Sequence, residues 1–164
     1  MLSKSRPIET FSLTMFDYQL EAILQHAFGR GLEGRAPFHG VFARDTVPLT
    51  RKDGGYIINF DRESEPGSHW VAVYITDDLV KYFDSSGQPP LHCEIEFFLG
   101  PKYHYNSVHL QPVLSKCCGQ YCIYYLVQRH VMKRSSQDII SVLKRSDSLF
   151  IVKNFVTRYY SSLL

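Results

Sequence analysis

Three short stretches of this chain carry side chains that could act together in nucleophilic chemistry. Gly67-Ser68-His69-Trp70 stands at the entry to one apolar run, and Tyr82-Phe83-Asp84-Ser85-Ser86-Gly87 stands at the exit of the next. Gln111 precedes Cys118-Gly119 by seven residues, at the start of a long apolar segment. A cysteine attacks a carbonyl as its thiolate, and a helix N-terminus or a nearby cation lowers a thiol pKa. Cys118 is placed for the first, and Lys116 could supply the second. Histidine is the usual base that takes the thiol proton and later protonates a leaving amine. A carboxylate fixes the imidazole tautomer and favours its charged form. An amide N–H from Gln111, beside the backbone N–H of Cys118, could hold an oxyanion. Gly119 removes a Cβ from a tight turn next to the nucleophile.

Taken singly, each residue has a plain structural reading. A lone cysteine at a helix start usually packs, a strand-edge histidine is usually exposed or structural, and Asp-Ser is a common turn signal. The ordered set His69, Asp84, Gln111, Cys118, each at an element boundary, carries the argument.

The elements that must position these residues can be read from periodicity. Phe16, Leu20, Ile23, Leu24, Ala27 and Phe28 form a helical stripe, with Thr14 and Asp17 as a capping pair and Gly29 with Gly31 as the stop. A glycine-rich loop spans 29–37. Strands are expected over 38–42, 56–60, 70–75 and 79–83, with a turn over 44–48, a polar insert over 61–67 and an Asp77-Asp78 turn. If 70–75 and 79–83 form an antiparallel hairpin, His69 and Asp84 lie at the same sheet end. A short helix over 94–99 and a weakly alternating strand over 103–110 follow. After Gly119, Cys122, Ile123, Leu126, Val127 and His130 share one face, widened by Tyr121, Tyr124 and Tyr125, so this helix should be central and buried. Two more helices are expected over 136–145 and 147–163, with Ser136 and Asp147 as N-caps. Residues 1–13 show no period. The order predicts an α+β domain.

Composition narrows the function classes. The 164 residues suit one domain, 1–164, with a substantial core. A chain that is 45% hydrophobic and 21% charged is neither disordered nor fibrous. A net charge of +2 gives no ground for a purely electrostatic nucleic-acid binder. No run approaches a membrane span, and no apolar segment follows Lys4 and Arg6 as a secretory signal would require. Cys93, Cys117, Cys118 and Cys122 make no disulfide framework, and free thiols in a reducing setting are expected.

The ordered set resembles the adenain-type cysteine proteases of adenoviruses, and still more their relatives in adintoviruses and Maverick/Polinton transposons, which share a clan with the SUMO-deconjugating proteases. The matching elements are Phe38-His39-Gly40-Val41-Phe42-Ala43-Arg44-Asp45 closed by Pro48, Asn59 at a strand end, Gly67-Ser68-His69-Trp70, Phe83 to Gly87 with Pro90 beyond, Gln111, and Cys118-Gly119. Together they span roughly residues 16–160. The gap of seven from Gln111 to Cys118 is the adenain-type spacing; the SUMO-protease group usually has six, with an Asp where this chain has Cys117. Pro112 stands where adenoviral enzymes often have Gly, and Asp84 where many have Glu.

The resemblance implies a papain-like α+β fold with a central mixed sheet and a buried helix bearing the nucleophile. It implies Cys118 as nucleophile, His69 as base and acid, Asp84 as orienter, Gln111 as oxyanion donor, and Trp70 and Gly119 against the substrate. The implied activity is cleavage of virion precursor proteins after glycine, in the virion and the host nucleus or cytoplasm, with no cofactor and no membrane. Adenoviral relatives are activated by a peptide tied through a cysteine upstream of the glutamine. The matching stretch here, 99–105, has none, so an activating peptide is expected to bind without a disulfide. DNA as a second partner has only Lys133-Arg134 and Lys144-Arg145 to support it. Three other readings compete: a deconjugase cutting at the Gly-Gly end of a ubiquitin-like modifier, a non-catalytic binding module, and a metal site of Cys118, Cys122, Cys93 and His92.

Overall fold

The computed structural model describes residues 15–29, 36–77 and 79–162; residues 1–13, Thr14, Gly31 and Asp78 of the sequence reading lie outside them. Helix α1 (Asp17–Gly29) buries Leu20, Ile23, Leu24, Ala27 and Phe28, the stripe that its spacing predicts. Phe16 does not continue that stripe. It precedes the helix, its ring is 56% exposed, and its backbone N–H donates to Gln19 Oε1 at 3.0 Å. Gln19 thereby makes the reciprocal half of a capping box. Asp17 instead accepts the N–H of Tyr18 at 2.8 Å.

Five strands follow: β1 (Phe38–Ala43), β2 (Gly54–Asn59), β3 (Trp70–Thr76), β4 (Leu79–Phe83) and β5 (His104–Tyr105), hydrogen-bonded in that order. The β2–β3 and β3–β4 pairs are antiparallel, while β1–β2 and β4–β5 are parallel, so the sheet is mixed. Side chains alternate between its faces as the pleat demands. Tyr56, Ile58, Val71, Val73, Val80 and Tyr82 pack with Ile95, Phe98 and Leu99 of α2 (Cys93–Leu99). Ile57, Ala72, Tyr74 and Phe83 point the other way, into the larger core built around α3 (Cys118–His130). Every residue of β2 is buried, because both faces are covered.

Only His104 and Tyr105 of the strand expected over 103–110 are β. The pairing stops because the Asn106 side chain takes over from the backbone. Its Oδ1 accepts the Asp84 N–H at 2.9 Å and its Nδ2 donates to the Asp84 carbonyl at 2.5 Å. The chain then leaves the sheet while still bound to it.

Helix α3 is buried on all sides but Arg129, which fits its broad apolar circumference. Tyr125 stacks on Phe83 at a centroid distance of 4.4 Å. Helices α4 (Ser136–Leu143) and α5 (Ser148–Ser161) close the outer side. The N-cap of α4 is Ser135, one residue before the expected Ser136; its hydroxyl accepts the Asp138 N–H at 3.1 Å. Asp147 stands at the N-cap of α5, but its carboxylate pairs with Arg145 at 2.8 Å and caps nothing. No described helix is long and apolar enough to cross a membrane.

Ile123 lies at the centre of α3 with no exposure. Ile123→Ala should lower the unfolding free energy by about 2–5 kcal/mol, the range for deleting a buried aliphatic side chain. Urea denaturation measures this, and a loss near zero would show that α3 is not the packing centre.

Candidate active site

The β3–β4 hairpin places two of the expected residues. In its antiparallel register Ala72 faces Phe83, so His69, just before β3, and Asp84, just after β4, come to the same sheet end. His69 Nε2 lies 2.7 Å from Asp84 Oδ1. With that nitrogen committed, Nδ1 is the one left to meet Cys118, whose side chain is hydrogen-bonded to His69. The Phe60 ring packs at a steep angle against the imidazole, with centroids 4.8 Å apart.

Asp84 is 0% exposed and is held from several directions. Besides Asn106 on its backbone, its Oδ1 accepts the Ser86 N–H at 2.7 Å. Gly87 turns the chain at φ 72, and a Cβ there would lie 2.4 Å from the Val108 carbonyl carbon. Only glycine combines that backbone with that approach.

Cys118 begins α3, and the first turn of the helix straddles the Trp70 peptide. The Trp70 N–H is hydrogen-bonded to the Cys118 sulfur, and Cys122 Sγ donates to the Trp70 carbonyl at 3.3 Å. Burial pushes the Cys118 thiol up, but the His69 hydrogen bond, the Trp70 N–H, the imidazolium charge and the Gly119 N–H outweigh it, and the thiol stands below its ordinary value. Lys116 lines the cleft but is not among the groups that lower it. For His69, burial disfavours the charged ring, yet the hydrogen bonds to Asp84 and Cys118 and their charges win, raising it to about 9. Both shifts, His69 up and Cys118 down, favour a thiolate–imidazolium pair.

Gln111 is buried at the cleft wall. Its Oε1 accepts from Ser85 Oγ at 2.7 Å and its Nε2 donates to the Ser115 carbonyl at 2.6 Å. The cleft, of about 540 Å³, is also lined by Met15, Phe16, Phe42, Trp70 and Cys118. The structure thus brings His69, Asp84, Gln111, Cys118 and Trp70 together. Gly119 differs from expectation: it is a buried residue of the helix, and it does not line the cleft. A Cβ there would lie 3.2 Å from Leu20 Cδ2 and 3.4 Å from Met15 Cβ, so its bareness lets α1 close on α3.

The structure does not gather the four residues of the metal reading into one group. Cys93 and His92 stand at the start of α2, a helix that packs on the sheet face opposite α3. No group of three or more metal-ligating side chains occurs among the described residues. Sequence reasoning missed Asn106 and Ser85, which hold the site from behind; the Asp-Ser pair reads only as a turn.

No family model and no curated protein matches the chain. Among solved structures it is similar to the ASFV pS273R protease, with a TM-score of 0.59 and 16% identity over 93% of this chain and 69% of that one. The chain shares that protease's fold, an α+β fold of the papain-like cysteine protease type.

Two outcomes follow from the electrostatics. The ion pair exists above the lowered thiol pKa and is lost as pH rises through about 9, where His69 gives up its proton. Asp84→Asn should move that upper limit down, toward the ordinary imidazole range, which the pH titration of the His69 ring nitrogens by NMR would record. Iodoacetamide near neutral pH should modify Cys118 fastest. Cys117 is 0% exposed and burial raises its thiol, so the competitor is exposed Cys93. Peptide mass spectrometry checks this, and faster labelling of Cys93 would contradict the pair.

Proposed function

We propose that the chain is a cysteine endopeptidase of the adenain type. The observation that carries this reading is the continuous line from buried Asp84 through His69 to Cys118, opening on a cleft. In the proposed reaction the Cys118 thiolate attacks the scissile carbonyl carbon. The oxyanion is held by the Cys118 backbone N–H and the free N–H of Gln111. His69 passes its proton to the leaving amine, leaving a thioester on Cys118. It then takes a proton from water, whose oxygen attacks the thioester and releases the acid.

The substrates we propose are virion precursor proteins cut after glycine, processed in the virion or the host nucleus or cytoplasm. The seven-residue gap from Gln111 to Cys118 and the Phe38 to Asp45 motif support the adenain type. Trp70 beside the nucleophile, with Phe42 also lining the cleft, supports a preference for a residue without a side chain.

An activating peptide would bind without a disulfide and would add a strand at β5, where His104 and Tyr105 are exposed. The outer edge of β1 is already engaged by α1: Glu21 accepts the Val41 N–H at 3.2 Å and Gln25 donates to the Phe38 carbonyl at 3.5 Å. We do not extend the proposal to DNA, because Arg145 of the second basic pair is taken up by Asp147.

The test is hydrolysis of fluorogenic peptides by the purified chain in strong reductant, with and without virion-protein peptides. Cleavage after glycine is expected. Cys118→Ala should lower kcat by about 10⁴-fold or more and Gln111→Ala by about 10²-fold. Hydrolysis confined to modifier-AMC substrates would favour the deconjugase reading. Activation seen only under oxidising conditions and lost in Cys93→Ser would contradict non-covalent activation.

A further inference from the structure

The Gln111 amide can be useful to an oxyanion in only one of its two orientations. With Nε2 toward the cleft it donates; with Oε1 there it repels. The partners around it decide which holds. The Ser115 carbonyl can only accept, so the atom 2.6 Å from it must be Nε2. That leaves Oε1 facing Ser85, so the hydroxyl at 2.7 Å must donate to it. Nε2 carries two hydrogens and Ser115 takes one, leaving the second for the cleft that Gln111 lines.

Ser85 is 0% exposed, and its carbonyl accepts the backbone N–H groups of Leu110 and Gln111 at 2.9 and 3.0 Å. It therefore grips the glutamine at both backbone and side chain. It is also the residue after Asp84, so one dipeptide leaving β4 serves both halves of the site. Asp84 orients the imidazole, and Ser85 reaches across to the loop before α3.

We propose that Ser85 is a positioning residue for the reaction, its hydroxyl fixing the Gln111 amide with an N–H toward the developing oxyanion. This rests on the peptidase reading. Ser85 touches no reacting atom and acts only through Gln111. The consequence is selective: steps that build negative charge on a carbonyl oxygen need Ser85, and steps that use only the thiolate do not. Alkylation by iodoacetamide displaces iodide from carbon and forms no oxyanion, so it reports the Cys118–His69 pair alone.

The experiment compares Ser85→Ala, Gln111→Ala and the double variant in peptide hydrolysis and in the iodoacetamide rate at Cys118. Ser85→Ala should lower kcat about tenfold, the scale of one lost hydrogen bond, with KM and the alkylation rate unchanged. The double variant should be no slower than Gln111→Ala, because both changes remove the same function. A peptide aldehyde, which adds to the thiol and places an oxyanion in the same spot, should bind Ser85→Ala less tightly. Ser85→Cys keeps the shape with a weaker donor and should fall between Ser and Ala; it carries the same comparisons should Ser85→Ala fail to fold. Wild-type kcat in Ser85→Ala, a full further loss on top of Gln111→Ala, or an equal fall in alkylation would each overturn the proposal. An inactive wild-type chain would instead sink the peptidase reading on which it stands.

Discussion

The site depends on one hydrogen bond, from His69 to the buried carboxylate of Asp84 at 2.7 Å. A buried carboxylate is costly to ionise unless it is paired and hydrogen-bonded. Here an imidazolium and the Ser86 N–H both meet Oδ1, while the buried Oδ2 has no hydrogen-bond partner among the described residues. In return the carboxylate keeps the ring charged, and the charged ring holds the Cys118 thiol below its ordinary value despite burial. Without the bond the ring loses the partner that favours its charged form, and the Cys118 thiol loses part of what offsets its burial.

The fold secures this bond from two directions. The antiparallel hairpin brings the two residues to one sheet end, and its register is fixed by the packing of alternate residues on opposite faces. The segment from Asp84 to Gly87 is then clamped to the chain that follows β5. Asn106 satisfies the Asp84 backbone, Ser85 binds Leu110 and Gln111, and Gly87 lies against Val108. The route from Asp84 to the loop before α3 is hydrogen-bonded throughout. The imidazole and the glutamine amide are thus positioned by the same few residues, which is how a rigid scaffold presents loop groups for catalysis.

Much of this was legible in the sequence because it rests on periodicity. Short apolar runs bounded by turn residues marked β2, β3 and β4, and a wide apolar circumference marked α3 as central. The parts that were not legible depend on side chains acting as backbone or on contacts distant in sequence. The strand over 103–110 shrank to two residues because Asn106 replaced the ladder. Ser136 was expected as the α4 cap, but adjacent Ser135 is the residue whose hydroxyl meets the Asp138 N–H. Cys117 and Cys118 are neighbours of the same type; the sequence reading took Cys118, and the docking of α3 on Trp70 is what turns Cys118 toward His69 and Cys117 into the core. Gly119 was read as bordering the substrate, but its bareness serves helix packing.

The central claim is that Asp84 and Cys118 hold the His69 ring charged at neutral pH, which draws the thiol toward thiolate. Its most direct test is the nitrogen NMR of selectively ¹⁵N-labelled histidine, assigned to His69 by comparison with His69→Ala. The account predicts that both ring nitrogens carry protons at neutral pH, that they titrate near 9, and that Cys118→Ser lowers that value. A neutral ring at neutral pH, with one protonated nitrogen and one bare, would contradict it.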